Sequence, residues 1–430
     1  MFNLKRTILA ASCISIMLCG CGRKVSDASA ELTEVASDNQ PTSSIHTVTV
    51  TNEAESTVPP TEEAATEPEE SDIPDPVLQK LEELTLHQKV CQMFIVTPEQ
   101  LTGYGCVTLS DQAMKQGLDN YSVGGMIFFA DNLVWQEQTR SMLADAQSYA
   151  IESCGTGLFM AIDEEGGTVA RAAQKLGTTS FSNMSYYGSL NDAGAAYNIG
   201  ETIGRDLSGL GFNLDFAPVA DVNLNSANEL GSRIFSSDPI VVSDMVANVV
   251  RGLESQGVCA TLKHFPGLGA ADGNTHYDNS VLIYRTLDEL RSAEFVPFKG
   301  GIDAGVDFVM VGHQIVTGIG DNTPADLSYT AVTELLRGEL GFEGIAVTDS
   351  QRMNTIAGVY GSGDAAVRSV QAGIDIILMP ADLPTAVDAV CSAVENGQIT
   401  EERIDESVTR ILIKKYELGL IDAPADNKEE

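Results

Sequence analysis

Val258-Cys-Ala-Thr-Leu-Lys-His264, continued by Phe265-Pro-Gly-Leu-Gly-Ala-Ala-Asp-Gly-Asn-Thr-His276, is the stretch from which the fold can be read. Val258 to Leu262 is short, apolar and partly β-branched, as expected for a strand buried on both faces. Lys263 and His264 follow side by side. Pro266, Gly267, Gly269 and Gly273 then rule out a regular helix and give a long, adaptable loop. A lysine and two histidines on a Gly-rich loop at a strand end are costly to keep there for packing alone.

The same texture recurs along the chain. Apolar runs occur at Cys91–Val96 (CQMFIV), Gly124–Phe129 (GGMIFF), Gly157–Asp163 (GLFMAID) and Phe212–Val219 (FNLDFAPV). After Val258–His264 come Val306–His313 (VDFVMVGH), Gly344–Asp349 (GIAVTD) and Ile374–Pro380 (IDIILMP), eight runs in all. The segments between them, such as Pro239–Gln256 and Ala365–Ala372, have helical periodicity, and a helix over Glu401–Glu417 closes the chain. Eight strand-then-helix units with fully apolar strands predict an α/β fold of the (β/α)8 TIM-type barrel class. A doubly wound open sheet is the alternative, but no GxGxxG follows the first strand. In such a barrel the active end is the C-terminal end of the strands. There the sequence places Asp163, Glu164 and Glu165 after the third run, and Asp221 after the fourth. Lys263 and His264 end the fifth, His313 the sixth and Asp349 the seventh.

The flanks have a different composition. Lys5 and Arg6 precede an apolar run, Ile8–Leu18, that is too short to span a bilayer and fits a secretory signal peptide. It ends in Leu18-Cys-Gly-Cys21, which resembles the lipobox of bacterial lipoproteins; that resemblance implies cleavage before Cys21, lipidation of Cys21, and an exported protein held on the outer face of the cell membrane by the lipid alone. From residue 21 to 75 the chain reads as a disordered acidic tether: Val25 to Gln79 contains no Lys or Arg and is rich in acids, Ser, Thr and Pro. The folded barrel is expected over residues 76–422, with a tail at 423–430. The net charge of −36 speaks against nucleic acid and against adhesion to anionic lipid. Of the eight cysteines, Cys91, Cys106, Cys154, Cys259 and Cys391 fall in the body, and none has CxxC spacing, so no zinc or redox motif is present. Cys91 and Cys259 are expected to be small buried apolar residues in strands.

Asp349 is the sharpest single residue. Gly344-Ile-Ala-Val347 delivers Thr348 and Asp349 to the predicted mouth, where a carboxylate can be a nucleophile, a general base, a substrate hydrogen-bonder or the cap of the next helix. Taken together, KHFPG (263–267), IDEEGG (162–167), FAPVADVN (216–223), GSRIFSSDP (231–239), VTDSQRM (347–353) and AGIDIILMP (372–380) resemble glycoside hydrolase family 3, most of all its single-domain β-N-acetylhexosaminidase branch. The likeness covers about Leu78 to Leu420. It implies a TIM-type barrel and two-step retaining hydrolysis of terminal β-linked N-acetylglucosamine from oligosaccharides such as cell-wall fragments or chitooligosaccharides; a monomer is expected.

By the same resemblance Asp349 is the nucleophile and His276 the acid/base. Asp163, Arg171, Arg233, Lys263 and His264 are sugar-binding positions. A histidine suits proton transfer because its ordinary pKa, about 6.5, is near working pH. Asn274 stands where the family has an aspartate beside this histidine; Asp272 and Asp278 are nearby carboxylates that could take that part, and Leu268 replaces a second histidine. No metal or organic cofactor is called for, since the carboxylates form no ligand cluster and glycoside hydrolysis needs none. A different β-glycosidase, or a sugar-binding lipoprotein weakened in turnover, is the competing reading.

Overall fold

The computed structural model describes residues 73–421. The expected signal peptide, Cys21, the tether and the tail lie outside these residues. Eight parallel strands form the centre: β1 (Phe94–Val96), β2 (Gly125–Ile127), β3 (Phe159–Ile162), β4 (Leu214–Asp215), β5 (Thr261–Phe265), β6 (Phe308–Val311), β7 (Ile345–Thr348) and β8 (Ile377–Leu378). Hydrogen bonding runs β8-β1-β2-β3-β4 in one ladder and β5-β6-β7 in another. Parallel bridges Leu214↔Cys259 and Val347↔Ile376 join the two and close the barrel. Every one of the eight apolar runs contains one of these strands, and the fold is the expected (β/α)8 barrel.

Helices follow the strands, among them Gln136–Cys154, Ala193–Ser208, Pro239–Glu254, Ser362–Ala372 and Leu383–Glu395. Several start on a side chain that caps their first turn: Asp192 accepts from Gly194 and Ala195 N–H, and Asp382 from Thr385 N–H. The last helix, Glu401–Glu417, begins on Thr400 and has the bounds read from the sequence. Phe159 and Phe308, the first residues of β3 and β6, meet edge to face at 5.3 Å. These strands are not neighbours, so the contact spans the lumen and plugs its N-terminal end. Lys415 of the last helix is fully buried there, with Nζ 2.6 Å from Gln92 Oε1 and 5.4 Å from the Phe159 ring centre.

One sequence expectation is corrected. Cys91 is buried, but in the helix Leu86–Gln92 rather than in a strand. The apolar run straddles a helix end and β1, because Thr85 and Gln88 form a reciprocal cap that starts a helix ahead of it. Cys259 is buried and bridges to β4 just before β5 begins.

Candidate active site

At the C-terminal mouth of the barrel lies a cavity of about 420 Å³. Asp163, Arg171, Arg233, Lys263, His264, His276 and Asp349 all line it, so the seven residues singled out for substrate and chemistry share one site. They arrive from different strand ends, as barrel closure requires.

An ionic chain forms the inner wall. Lys263 Nζ sits 3.0 Å from Asp163 Oδ1 and 2.6 Å from Glu165 Oε1. Arg171 Nη2 donates to Asp163 Oδ2 at 2.7 Å, with its guanidinium 4.8 Å above the Phe129 ring. Arg233 clasps Glu165 with Nε and Nη2, each at 2.7 Å. The Lys263 and Glu165 side chains are only 3 % and 2 % exposed. Burial opposes ionisation of Asp163, but Lys263 and Arg171 outweigh it and hold the carboxyl well below its usual range. Burial likewise works against charge on Glu165 and Lys263; their mutual attraction, helped by Arg233 at Glu165 and by Asp163 at Lys263, keeps Glu165 low and Lys263 high. The result is a pre-charged wall whose oxygens and N–H groups can meet sugar hydroxyls without reorganising.

Local structure explains how Asp163 and Glu165 come to face the same lysine. Residues 164–166 leave β3 as a short strand paired antiparallel with Val169–Ala170, and alternate side chains of such a segment lie on one side. The tip is Gly166-Gly167, with φ of +82° and +59°, where other residues would be strained. Between the two carboxylates Glu164 turns the other way and accepts from Ala172 and Ala173 N–H; burial pushes its carboxyl up to about 7. Asp215, at the end of β4, accepts from Glu164 N at 2.9 Å and so steadies this tripeptide from below.

His264 Nδ1 lies 2.8 Å from Asp221 Oδ2, and that fully buried carboxylate also accepts from His264 N and Leu268 N. The peptide bonds Lys263–His264 and Phe265–Pro266 are both cis. Further on, a Cβ on Gly269 would lie 1.9 Å from Val222 O, so only glycine lets the loop cross the chain that follows β4.

Asp349 is half-buried just past β7; its backbone N–H donates to Val311 O, and its Oδ1 accepts from Ser350 N at 2.7 Å. Burial would raise its pKa, but the positive fields of His264 and His313 and the Ser350 N–H bring it below the usual value. An ionised carboxylate at the cavity floor is suited to attack on an electrophilic carbon.

His276 is exposed on the loop after β5 and reaches the cavity from its rim. Its loop is pinned on both sides. Thr275 N and Oγ1 donate to Glu229 Oε1 at 3.2 and 2.8 Å, and Thr355 Oγ1 donates to Thr275 O at 3.3 Å. Asn354 Nδ2 bonds Tyr277 O and Asn279 Oδ1. Asn274 does not hold the His276 ring: its Oδ1 accepts from the His276 backbone N–H at 3.0 Å and thereby shapes the turn. Asp272 is exposed, neither it nor Asn274 lines the cavity, and Asp278 Oδ2 accepts from Asn274 N. Among the described residues, no group of three His, Cys, Asp or Glu stands where it could hold a metal ion.

Sequence reasoning assigned no role to Glu165, although it ties Lys263 to Arg233, nor to Glu229, which anchors the histidine loop. The available signals were the spacing of two from Asp163 and of four before Arg233.

The sequence pattern of the glycosyl hydrolase family 3 N terminal domain matches residues 85–413. The chain belongs to glycosyl hydrolase family 3. It is 33 % identical over 333 residues to beta-hexosaminidase A of Pseudoalteromonas piscicida, a match that covers 71 % of this chain and 55 % of that protein. It is 34 % identical over 294 residues to a beta-hexosaminidase of Stenotrophomonas maltophilia, covering 66 % of this chain and 84 % of the other. Among solved structures, a family 3 beta-N-acetylglucosaminidase from Paenibacillus sp. superposes with a TM-score of 0.74 at 36 % identity, over 80 % of this chain and 65 % of that one. The chain thus spans only part of the length of some of these relatives.

Proposed function

We propose that the protein is a retaining β-N-acetylhexosaminidase that removes terminal β-linked N-acetylglucosamine from oligosaccharides. The observation that carries this reading is Asp349, a carboxylate held ionised at the floor of a cavity whose wall is the Asp163–Lys263–Glu165–Arg233 ionic chain. The names of the relatives support the choice of sugar.

In the first step an Asp349 oxygen attacks the anomeric carbon, the glycosidic C–O bond breaks, and His276 gives its proton to the departing oxygen. The sugar is then an ester of Asp349. In the second step His276 takes a proton from water as the water oxygen attacks the same carbon and frees the carboxylate. Asp163, Arg171, Arg233, Lys263 and His264 hold the sugar hydroxyls throughout. Asp163 oxygens already engaged by Lys263 and Arg171 keep further lone pairs for that purpose. The loop pinned by Glu229, Thr355 and Asn354 brings His276 over the substrate. Export and attachment to a membrane through lipid on Cys21 complete the proposal; their support is the lipobox-like end of the apolar run at Ile8–Leu18. Among the described residues no helix is long and apolar enough to cross a membrane.

The test is turnover of an aryl β-N-acetylglucosaminide, with trapping by a 5-fluoro or 2-deoxy-2-fluoro glycosyl reagent. Turnover with one sugar mass on the peptide holding Asp349 is expected. Asp349→Asn should abolish turnover while sugar binding persists, because the loss is confined to bond making. Label on another peptide would reassign the nucleophile, and binding without turnover in the intact protein would favour a sugar-capture role.

A further inference from the structure

Behind Asp349 lies a second ionisable pair that the reaction above does not use. His313 stands two residues past β6, and Asp326 sits on the short helical turn Ala325–Leu327; both side chains are fully buried. His313 Nε2 is 2.9 Å from Ser350 O, and its Nδ1 is 3.1 Å from Asp326 Oδ1, an ion-pair distance without hydrogen-bond alignment. A carbonyl oxygen can only accept, so Nε2 carries a hydrogen. Among the described residues neither carboxylate oxygen of Asp326 has a hydrogen-bond donor, and an ionised carboxylate without a counter-charge is not tolerated at that depth. The ring lies within ion-pair distance of Asp326, and the Asp326 and Asp349 carboxylates both favour its cation.

We propose that His313 is a standing imidazolium, held by Asp326, that positions the Asp349–Ser350 turn and keeps Asp349 ionised. His313 is a positioning residue that transfers no proton. The linkage is short: His313 holds Ser350 O, while Ser350 N–H holds Asp349 Oδ1. Gln351 N–H, bonded to Leu378 O, fixes the far side of the same peptide. The charged and titratable groups facing this unit are Asp349 from the end of β7, His264 and Lys263 from β5 across Asp349, and Tyr360 beyond Asp326. Burial alone would favour a neutral ring; the two carboxylates and the Ser350 carbonyl reverse that and raise its pKa to about 9.

The proposal rests on Asp349 as the nucleophile, and its test separates the two. Nitrogen NMR of the histidine-labelled full chain, which has five histidines, reads the proton count on each ring. The His313 signal, assigned by its loss in His313→Gln, should show both nitrogens protonated from pH 6 to 8. Asp326→Asn should lower kcat about tenfold with KM nearly unchanged, and should move the acidic limb of kcat/KM up by about one pH unit, since Asp349 loses a neighbouring cation. Asp326→Glu should recover most of the rate. A neutral His313 ring at pH 7 in the wild-type protein overturns the proposal, and so does an acidic limb that stays in place in a folded Asp326→Asn protein. Fluoro-sugar label on a residue other than Asp349 would instead defeat the assignment of the nucleophile, whatever the NMR shows.

Discussion

Replacing Glu165 by glutamine keeps the side-chain shape and removes one buried charge. Three donors converge on this carboxylate: Arg233 Nε and Nη2, and Lys263 Nζ. The amide offers one acceptor in place of two and turns an N–H toward donors. Breaking a fully buried pair costs about 3–5 kcal/mol. Here Lys263 keeps Asp163 and the Arg233 side chain is 22 % exposed, so the low end, about 3 kcal/mol, applies. For a domain of this size that lowers Tm by roughly 6 °C. Two cavity-lining cations also lose their register, and misplacement of about 1 Å costs roughly a hundredfold in kcat/KM. The sign with pH follows from the lowered pKa of Glu165. Its contribution is present above the ordinary carboxylate pKa, about 4.5, and is lost as pH falls through the lower folded value. Calorimetry of both proteins from pH 3.5 to 8, with aryl glycoside kinetics at pH 7, measures this. The Tm gap should be full from pH 6 upward and close toward pH 3.5. A gap under about 1 °C at pH 7 with unchanged kcat/KM, or a gap that widens on acidification, would refute the role given to the ionic chain.

His276→Ala should damage hydrolysis of unactivated glycosides by about a thousandfold, and activated aryl glycosides far less in the glycosylation step; azide should partly restore deglycosylation by making a glycosyl azide. Equal losses on both substrates with no azide effect would move the acid/base role to another group. Thr275→Val removes the Oγ1 bond to Glu229 and should cost about tenfold in kcat on unactivated substrates, with little change in Tm. Lys415 is buried with its pKa pushed down to about 7, so between pH 7 and 10 the unfolded chain binds the extra proton and stability rises with pH. Lys415→Met should therefore raise Tm most below pH 7, and its advantage should shrink by pH 10 in thermal melts; an advantage that grows with pH would show that Lys415 is stabilised as a cation. Cys21→Ser should release the protein from membranes or leave its precursor uncut, and palmitate labelling that survives the change would end the lipid-anchor proposal.

The periodic apolar runs determined a good deal without any tertiary information. A strand buried on both faces has to be apolar throughout, and each of the eight runs contains a barrel strand. The last helix has the bounds its periodicity and Thr400 cap imply. Polar residues directly after those runs fall at the barrel mouth, which is why Asp163, Lys263, His264 and Asp349 could be placed there from sequence. Partner choice was not legible in the same way. Lys263 and Asp163 are 100 residues apart, on β5 and just past β3, and only the curvature of the barrel brings these two strand ends, with β4 between them, within 3.0 Å. Glu165 and Glu164 are adjacent and chemically identical, yet one is gripped by two cations and the other caps a helical turn; the hairpin's alternation decides which. Asn274 stands where the family has an aspartate beside His276, but its Oδ1 bonds the His276 backbone N–H, as a short side chain in a tight turn does. The apolar run alone points to a strand at Cys91, but a capping box six residues upstream places it in a helix. Local pattern sets which segments are apolar and where they stop. Electrostatic pairing depends on distances of about 3 Å between groups far apart in the chain, and those distances exist only once the barrel has closed.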